Sequence, residues 1–127
     1  MSGIEKIERA RLLLEKQLEE YIIDVQINYD SPRLVALLRD GTKIYIRYND
    51  HEQYTYSIVF SSSYLDKCLF DNYGDKWEVS TRPHHFHARF QSSVSSSPMV
   101  GIPETDVEEL CNLVLPGKLF SPDLQFS

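Results

Sequence analysis

The apolar positions of the first twenty residues follow a helical period. Ser2, followed three residues later by Glu5, fits the capping box that starts many helices. We therefore predict an amphipathic helix over residues 3–21, with charged residues on its outer side. The apolar residues at this spacing are Ile4, Ile7, Leu14, Leu18 and Tyr21.

From residue 22 the apolar period changes to two, which is typical of β-strands with one buried face. Short polar turns separate the strands, and Asp40-Gly41 is a two-residue turn signal for a hairpin. Because such short connections join antiparallel neighbours, we expect a β-meander. The predicted strands cover 22–29, 33–39, 43–48, 53–60 and 64–70, and 77–90 should also be extended.

A loop, a helix and a tail are predicted for the C-terminal part. Residues 91–103 are rich in serine and show no clear period, so we predict a loop there. Pro103 and the acidic residues after it are typical of a helix start, and the apolar spacing predicts a helix over 104–115. The tail, 116–127, offers apolar side chains that can dock on the domain or on a partner.

Together these elements predict one α+β domain over residues 1–127. We expect an antiparallel β-meander of about five to seven strands within residues 22–90, with the N-terminal and C-terminal helices packed on one face. The other face, or one end of the sheet, is then left for functional side chains. The length of 127 residues and the hydrophobic content of 42% are ordinary for a single globular domain.

Charge and targeting signals narrow the function classes. The net charge of −6 argues against a protein that tracks a long phosphate backbone, because such proteins neutralise many phosphates with Lys and Arg. Lys76, Arg82 and Arg89 form a locally cationic segment, which leaves open either a short nucleic-acid contact or an ordinary mixed surface. No stretch reaches membrane-spanning length and the first residues lack a signal-peptide apolar run, so we expect a cytoplasmic protein without a membrane partner. Cys68 and Cys111 lie inside apolar patterns and are expected to be buried free thiols, with a single disulfide as the alternative.

Three of the four histidines lie in the stretch Arg82–Phe90. Histidine can move protons near neutral pH and is a common metal ligand, so this stretch is the first candidate for chemistry. Strand alternation places His85, His87 and Arg89 on one face. His84 then lies on the opposite face.

A metal site is one interpretation of the histidines. The pair His85-x-His87 places two imidazoles on one face of a strand, where both can reach one divalent transition metal. Small metal-binding barrels use such a pair together with a Glu and a later His, but no histidine follows His87 here. Candidates for a further ligand are His51, Asp71, Asp75 and Glu78.

Metal-free cleavage of RNA is the second interpretation. That chemistry needs a base for the 2′-hydroxyl proton, an acid for the leaving oxygen and a cation for the charge on the phosphate. His85 and His87 are the acid/base candidates, and Asp71 can orient a histidine. The candidates for binding the phosphate, or for stacking on or hydrogen bonding to a base, are Arg82, Arg89, Arg47, Tyr48, Tyr54 and Tyr56. The alternative is that the histidines and tyrosines only pack within the sheet.

Several features stand in a fixed order between residues 33 and 115. A tyrosine-rich strand pair is followed by Asp71-Asn72, then by Pro83-His84-His85-Phe86-His87, and then by a loop and a short helix. In this order they resemble the TumE-type toxins of bacterial and archaeal type II toxin-antitoxin systems. The resemblance implies a small toxin that acts on RNA or on the translation machinery and is held inactive by a DNA-binding antitoxin protein. The matched site positions are Asp71, Asn72, His84, His85 and His87.

We therefore predict a toxin-like ribonuclease that uses no cofactor. His85 and His87 are its expected acid and base, and Arg82 and Arg89 its expected phosphate contacts. Two alternatives stay open, namely a metal-dependent hydrolase that uses the same histidines and a non-catalytic protein-binding module.

Overall fold

The computed structural model describes residues 1–74 and 76–126 and confirms the α+β fold. Seven antiparallel strands form one open sheet in which the spatial order of the strands is their order along the chain. The elements are α1, Gly3–Gln17; β1, Ile22–Asn28; β2, Arg33–Leu38; β3, Lys43–Tyr48; β4, Tyr54–Val59; β5, Lys67–Asp71; β6, His85–His87; β7, Ser95–Ser96; α2, Pro103–Val114; and a 3₁₀-helix, Lys118–Phe120.

Both helices pack on one face of the sheet, as predicted. α1 contacts β2, β3 and α2, and the side chains beneath the helices form a continuous apolar core. One row of this core runs straight across five strands, because the alternation of the strands is in register there. Its members, all essentially fully buried, are Leu34, Ile46, Tyr56, Phe70 and Phe86.

The first helix begins as predicted and ends four residues earlier. The Ser2 hydroxyl accepts the Glu5 amide and the Glu5 carboxylate accepts the Ser2 amide, which completes the capping box. The prediction that the helix continues to residue 21 was wrong. The buried Leu18 caps the helix, and its carbonyl accepts the amides of Tyr21 and Ile22 in a tight turn that leads into β1.

The histidine strand is shorter than the predicted extended stretch 77–90. Only His85–His87 pairs with β5, because the chain just before it closes a turn. In that turn the His84 amide donates to the Thr81 carbonyl at 2.9 Å and the Thr81 hydroxyl donates to the His84 carbonyl at 2.7 Å. The serine-rich segment also differs from a plain loop, since Ser95–Ser96 adds a seventh strand beside β6.

The C-terminal tail docks on the domain. Leu119 is buried, and the Phe126 ring packs against Phe70 and Phe86. Phe126 also forms an isolated β-bridge with Ser96, so the tail covers the short edge strand β7.

The cysteines are buried free thiols, as expected. Burial raises the pKa of both Cys68 and Cys111 to about 12, so neither is a ready nucleophile. Within the described residues, no helix has both the length and the apolar character that crossing a membrane would require.

Candidate functional site

The sheet face opposite the helices carries polar, charged and histidine side chains in register. Neighbouring strands pair residue by residue, so these side chains form rows that run across the sheet. The first row is Arg33, Arg47, Thr55, Asp71 and His85. The second row is Val35, Tyr45, Ser57, Leu69 and His87, and the third contains Lys43, Val59 and Lys67.

His85 is held on both sides of its ring. Its Nε2 lies 2.7 Å from Asp71 Oδ1, and its Nδ1 lies 3.0 Å from the Pro83 carbonyl oxygen. A carbonyl oxygen can only accept a hydrogen bond, so Nδ1 of His85 carries the hydrogen that is donated to Pro83. The hydrogen bond between Nε2 and the Asp71 carboxyl group then needs one further proton, which lies between these two groups. Only 2% of the His85 side chain is exposed, so this shared proton is shielded from solvent. Asp71 therefore orients a histidine, as predicted, but the oriented ring has no free nitrogen for a substrate.

His87 is the more accessible partner. Its ring centroid lies 5.2 Å from that of His85, and the Trp77 ring contacts both histidines with centroid distances of 5.6 Å to His85 and 5.7 Å to His87. Burial lowers the pKa of His87, and the neighbouring positive charge of His85 lowers this pKa further. Attraction to Asp71 and backbone hydrogen bonds act against this shift. His87 is therefore neutral at pH 7 and able to accept a proton. We call Asp71, Trp77, His85 and His87 the histidine cluster.

His84 lies on the opposite side of the sheet from the cluster, as strand alternation predicts. Its ring stacks on the ring of Tyr54, and its Nδ1 lies 2.8 Å from the Tyr54 hydroxyl. His84 is partly buried and packs on Tyr54 on the core side of the sheet, so it does not share a site with His85 and His87.

The prediction that Tyr48, Tyr54 and Tyr56 contact a substrate was wrong. All three are at most 1% exposed and lie under the helices, because they share strand faces with the core isoleucines. The Tyr56 hydroxyl donates to Asp106 Oδ2 at 2.7 Å and lies 2.8 Å from the Tyr48 hydroxyl. Burial raises the pKa of these tyrosines and of Asp106. The Tyr48 and Tyr56 hydroxyls form a polar network with Asp106 inside the core, and all three tyrosines are closed to a ligand.

Asn72 and Arg89 also make internal contacts. The Asn72 amide joins the end of β5 to the start of β4, accepting from the Tyr54 amide and donating to the Glu52 carbonyl. The Arg89 guanidinium bonds to Asp66 at 2.5 Å and stacks on several aromatic rings, Phe60 among them. Arg89 lies in a turn beyond the end of β6, so strand alternation does not hold there and the expected place beside the histidines was wrong.

Among the predicted cations, Arg47 lies on the uncovered face and Arg82 lies exposed in the turn before β6. Arg47 lines a groove of about 350 Å³ on this face. We call it the basic groove; its lining residues are Arg33, Tyr45, Arg47, Thr55, Ser57, Val59 and Lys67. Sequence reasoning missed Arg33, Tyr45 and Lys67, although the Asp40-Gly41 hairpin and its register would have placed Arg33 opposite Arg47 and Val35 opposite Tyr45.

The metal interpretation receives no further ligand from the described residues. Within 1–74 and 76–126, no group of three or more His, Cys, Asp or Glu side chains is arranged to hold a metal ion. His51 lies exposed in the turn between β3 and β4, and Glu78 is exposed before β6. Asp75, the remaining candidate ligand, lies outside the described residues.

The fold and the site thus define an open antiparallel sheet with two helices on one side and a basic, histidine-bearing surface on the other. No family model matches the chain, and no curated protein or solved structure is detectably similar to it. The resemblance to the TumE-type toxins therefore stays a prediction, and the function is argued from the geometry.

Proposed function

We propose that the protein cleaves single-stranded RNA without a metal ion, with His87 as the general base. The observation that carries the proposal is the histidine cluster itself. A half-buried neutral histidine lies beside a buried carboxyl–imidazole pair, on the sheet face that also carries the basic groove. Perturbed titratable groups of this kind concentrate at functional sites.

The reaction follows from the position of the proton acceptor. His87 takes the proton from a ribose 2′-hydroxyl, and the 2′-oxygen forms a bond to the adjacent phosphorus. The bond from phosphorus to the 5′-oxygen of the next nucleotide breaks, and that oxygen takes a proton from water. The hydroxide that remains takes the proton from protonated His87, which regenerates water and the neutral base. The products are a 2′,3′-cyclic phosphate on one strand and a free 5′-hydroxyl on the other.

The other members of the cluster support this step. The Asp71–His85 pair fixes one wall against which His87 packs, and Trp77 fixes another. The Lys76 ammonium lies 4.8 Å from the centre of the Trp77 ring, which brings a positive charge next to the cluster. In the proposed reaction this ammonium stabilises the charge that develops on the phosphate.

The test is a cleavage assay with a fluorogenic, unstructured RNA in the presence of EDTA. We expect cleavage that yields 2′,3′-cyclic phosphate ends, and no cleavage of the same sequence made of DNA, which lacks the nucleophile. His87→Ala and His87→Asn should lose at least 100-fold in kcat/KM, which is the lower end of general-base effects. His51→Ala is the matched control because His51 is an exposed histidine in the turn between β3 and β4 and is not part of the histidine cluster.

Three outcomes would overturn the proposal. Loss of activity in EDTA with recovery on adding one divalent ion would favour the metal-dependent hydrolase. Full activity of folded His87→Ala would remove the assigned base. No cleavage of any RNA by folded wild-type protein would favour a binding module.

The resemblance to the TumE-type toxins adds a biological setting to this proposal. We infer a cytoplasmic toxin whose RNA cleavage arrests growth and is neutralised by an antitoxin protein. Induced expression should then stop bacterial growth, and His87→Ala should relieve the arrest at equal protein level. Growth arrest by both proteins alike would contradict the toxin assignment.

A further inference from the structure

Beyond the cleavage step, we infer that the basic groove is an anchoring subsite for one unpaired nucleotide of the RNA, about 14 Å from His87 across the sheet. In this subsite the base stacks on Tyr45. The phosphate on one side of the base contacts both Arg33 and Arg47, and the phosphate on the other side contacts Lys67. The inference rests on the proposed function for the identity of the ligand, and it names the part of the substrate that the cleavage site itself does not hold.

Like charges are paired in the basic groove. Arg33 and Arg47 stand directly opposite each other on neighbouring strands, where like charges destabilise a sheet. Among the described residues neither forms a salt bridge, whereas Arg9, Arg11 and Arg89 all do. A phosphate between the two guanidinium groups would remove this repulsion and form charge-assisted hydrogen bonds with both.

An aromatic side chain lies between these cations. Tyr45 is partly exposed in the groove. Its register row lies between the row of the two arginines and the row that contains Lys43 and Lys67. Each of these rows lies two residues away along the strand, or about 7 Å, which Arg and Lys side chains can span. An aromatic platform flanked by cations on an open sheet is typical of proteins that bind single-stranded nucleic acid. The net charge of −6 makes such a concentration of cations on one face unlike the chain as a whole.

The distance from the groove to the cleavage site fits a short stretch of RNA. Tyr45 and His87 belong to the same register row and are separated by three strand spacings of about 4.8 Å each. A stacked strand advances about 3.4 Å per nucleotide, so the anchored base lies roughly four stacked nucleotides from the cleaved bond, and fewer in an extended strand. Ser57 and the half-buried Leu69 are the two residues between Tyr45 and His87 in this row.

The test separates binding from cleavage by using RNA that cannot be cut. Wild-type protein is titrated by fluorescence anisotropy into a 2′-O-methyl octanucleotide, and in parallel into the same backbone without bases. Tyr45→Ala should weaken binding of the octanucleotide at least about 5-fold, the lower end of a lost base–aromatic stack. Tyr45→Phe should bind like wild type, and Tyr45→Ala should bind the two probes with nearly equal affinity.

The phosphate contacts have their own readout. Arg33→Ala with Arg47→Ala should reduce the slope of log affinity against log salt by about 0.7, since the two guanidinium groups share one phosphate and each phosphate contact on a single strand contributes about 0.7. Tyr21→Ala and Lys16→Ala are matched controls, because Tyr21 borders the helical side near Leu115 and Lys16 lies exposed on α1. Both should leave affinity and slope unchanged.

Failure of the subsite and failure of the cleavage proposal are distinguishable. Equal binding by wild type and folded Tyr45→Ala, or equal losses in Tyr45→Ala and Tyr21→Ala, would overturn the subsite even if RNA is cleaved. Equal wild-type affinity for the two probes would show a general polyanion surface and would also overturn it. Tyr45-dependent binding without RNA cleavage would support the subsite and contradict the catalytic role of His87.

Discussion

Replacing Asp71 tests how the histidine cluster is held together. In the structure, Asp71 Oδ1 lies 2.7 Å from His85 Nε2, and the two side chains are 13% and 2% exposed. Asp71→Ala leaves the buried Nε2 without a partner. Asp71→Asn behaves differently, because the asparagine amide can donate to Nε2 while Nδ1 still donates to the Pro83 carbonyl.

The two substitutions should therefore differ strongly in stability. Removing one partner of a buried pair costs about 3–5 kcal/mol, which is the expected loss for Asp71→Ala. With an unfolding entropy of about 2.1 cal/mol/K per residue, this loss lowers the Tm of a 127-residue chain by roughly 11–19 °C. Asp71→Asn keeps a neutral hydrogen bond and should lose only about 1 kcal/mol, or roughly 4 °C.

Urea unfolding at pH 7 measures both free energies, and an unchanged m-value shows that the comparison concerns the native state. Proton NMR adds a direct readout, since the proton shared by Asp71 and His85 should give a far-downfield signal that disappears in both variants. Equal losses in Asp71→Asn and Asp71→Ala would show that an amide cannot replace the carboxyl group. A loss below about 1 kcal/mol in Asp71→Ala would refute the buried pair.

Three further predictions follow from the contacts. The pKa of His87 in the folded protein is lowered from 6.5, so kcat/KM should be constant above pH 6.5 and should fall as the pH drops through the lowered pKa. The free energy of unfolding should also fall with decreasing pH below about 6.5, because the unfolded state binds the proton more readily than the folded state does. A profile that rises on acidification would contradict this. Tyr56→Phe removes a buried hydroxyl with two partners and should lower the free energy of unfolding by about 1–3 kcal/mol while leaving RNA affinity unchanged. Tyr45→Phe should change the free energy of unfolding by no more than about 0.5 kcal/mol. Equal stabilities of the two variants would contradict the buried network. Arg47→Glu pairs opposite charges with Arg33 and should raise stability in urea by up to about 1 kcal/mol while weakening RNA binding, and a loss of stability would contradict the like-charge argument.

The order and faces of the strands could be predicted because alternation is a local property. It places His85 and His87 together and His84 apart, and the structure has them so. The same alternation puts Tyr48 and Tyr56 on the face of Ile44 and Ile46, so their burial was also within reach of the sequence. The prediction placed them at a substrate because a tyrosine hydroxyl needs a hydrogen-bond partner. Inside this core the partner of Tyr56 is Asp106 on α2, and only tertiary packing brings the two together.

The cations show the opposite case, in which closeness along the chain was misleading. Arg89 is two residues from His87, but a turn directs it to Asp66. Arg33 is 52 residues before His85, yet both belong to one register row. Proximity of this kind depends on every hairpin between them keeping register, which a pattern of single residues does not contain.

The basic groove and the histidine cluster, the two halves of the uncovered face, suit different chemical groups of one ligand. The basic groove concentrates positive charge that no described acidic side chain balances, and the histidine cluster holds a neutral base beside a pair that is already internally neutralised. A polyanion alone would satisfy the groove but would give no reason for a proton acceptor on the same surface. A strand that carries phosphates and also a weakly acidic hydroxyl next to each phosphate satisfies both halves, and RNA is the nucleic acid that has this combination.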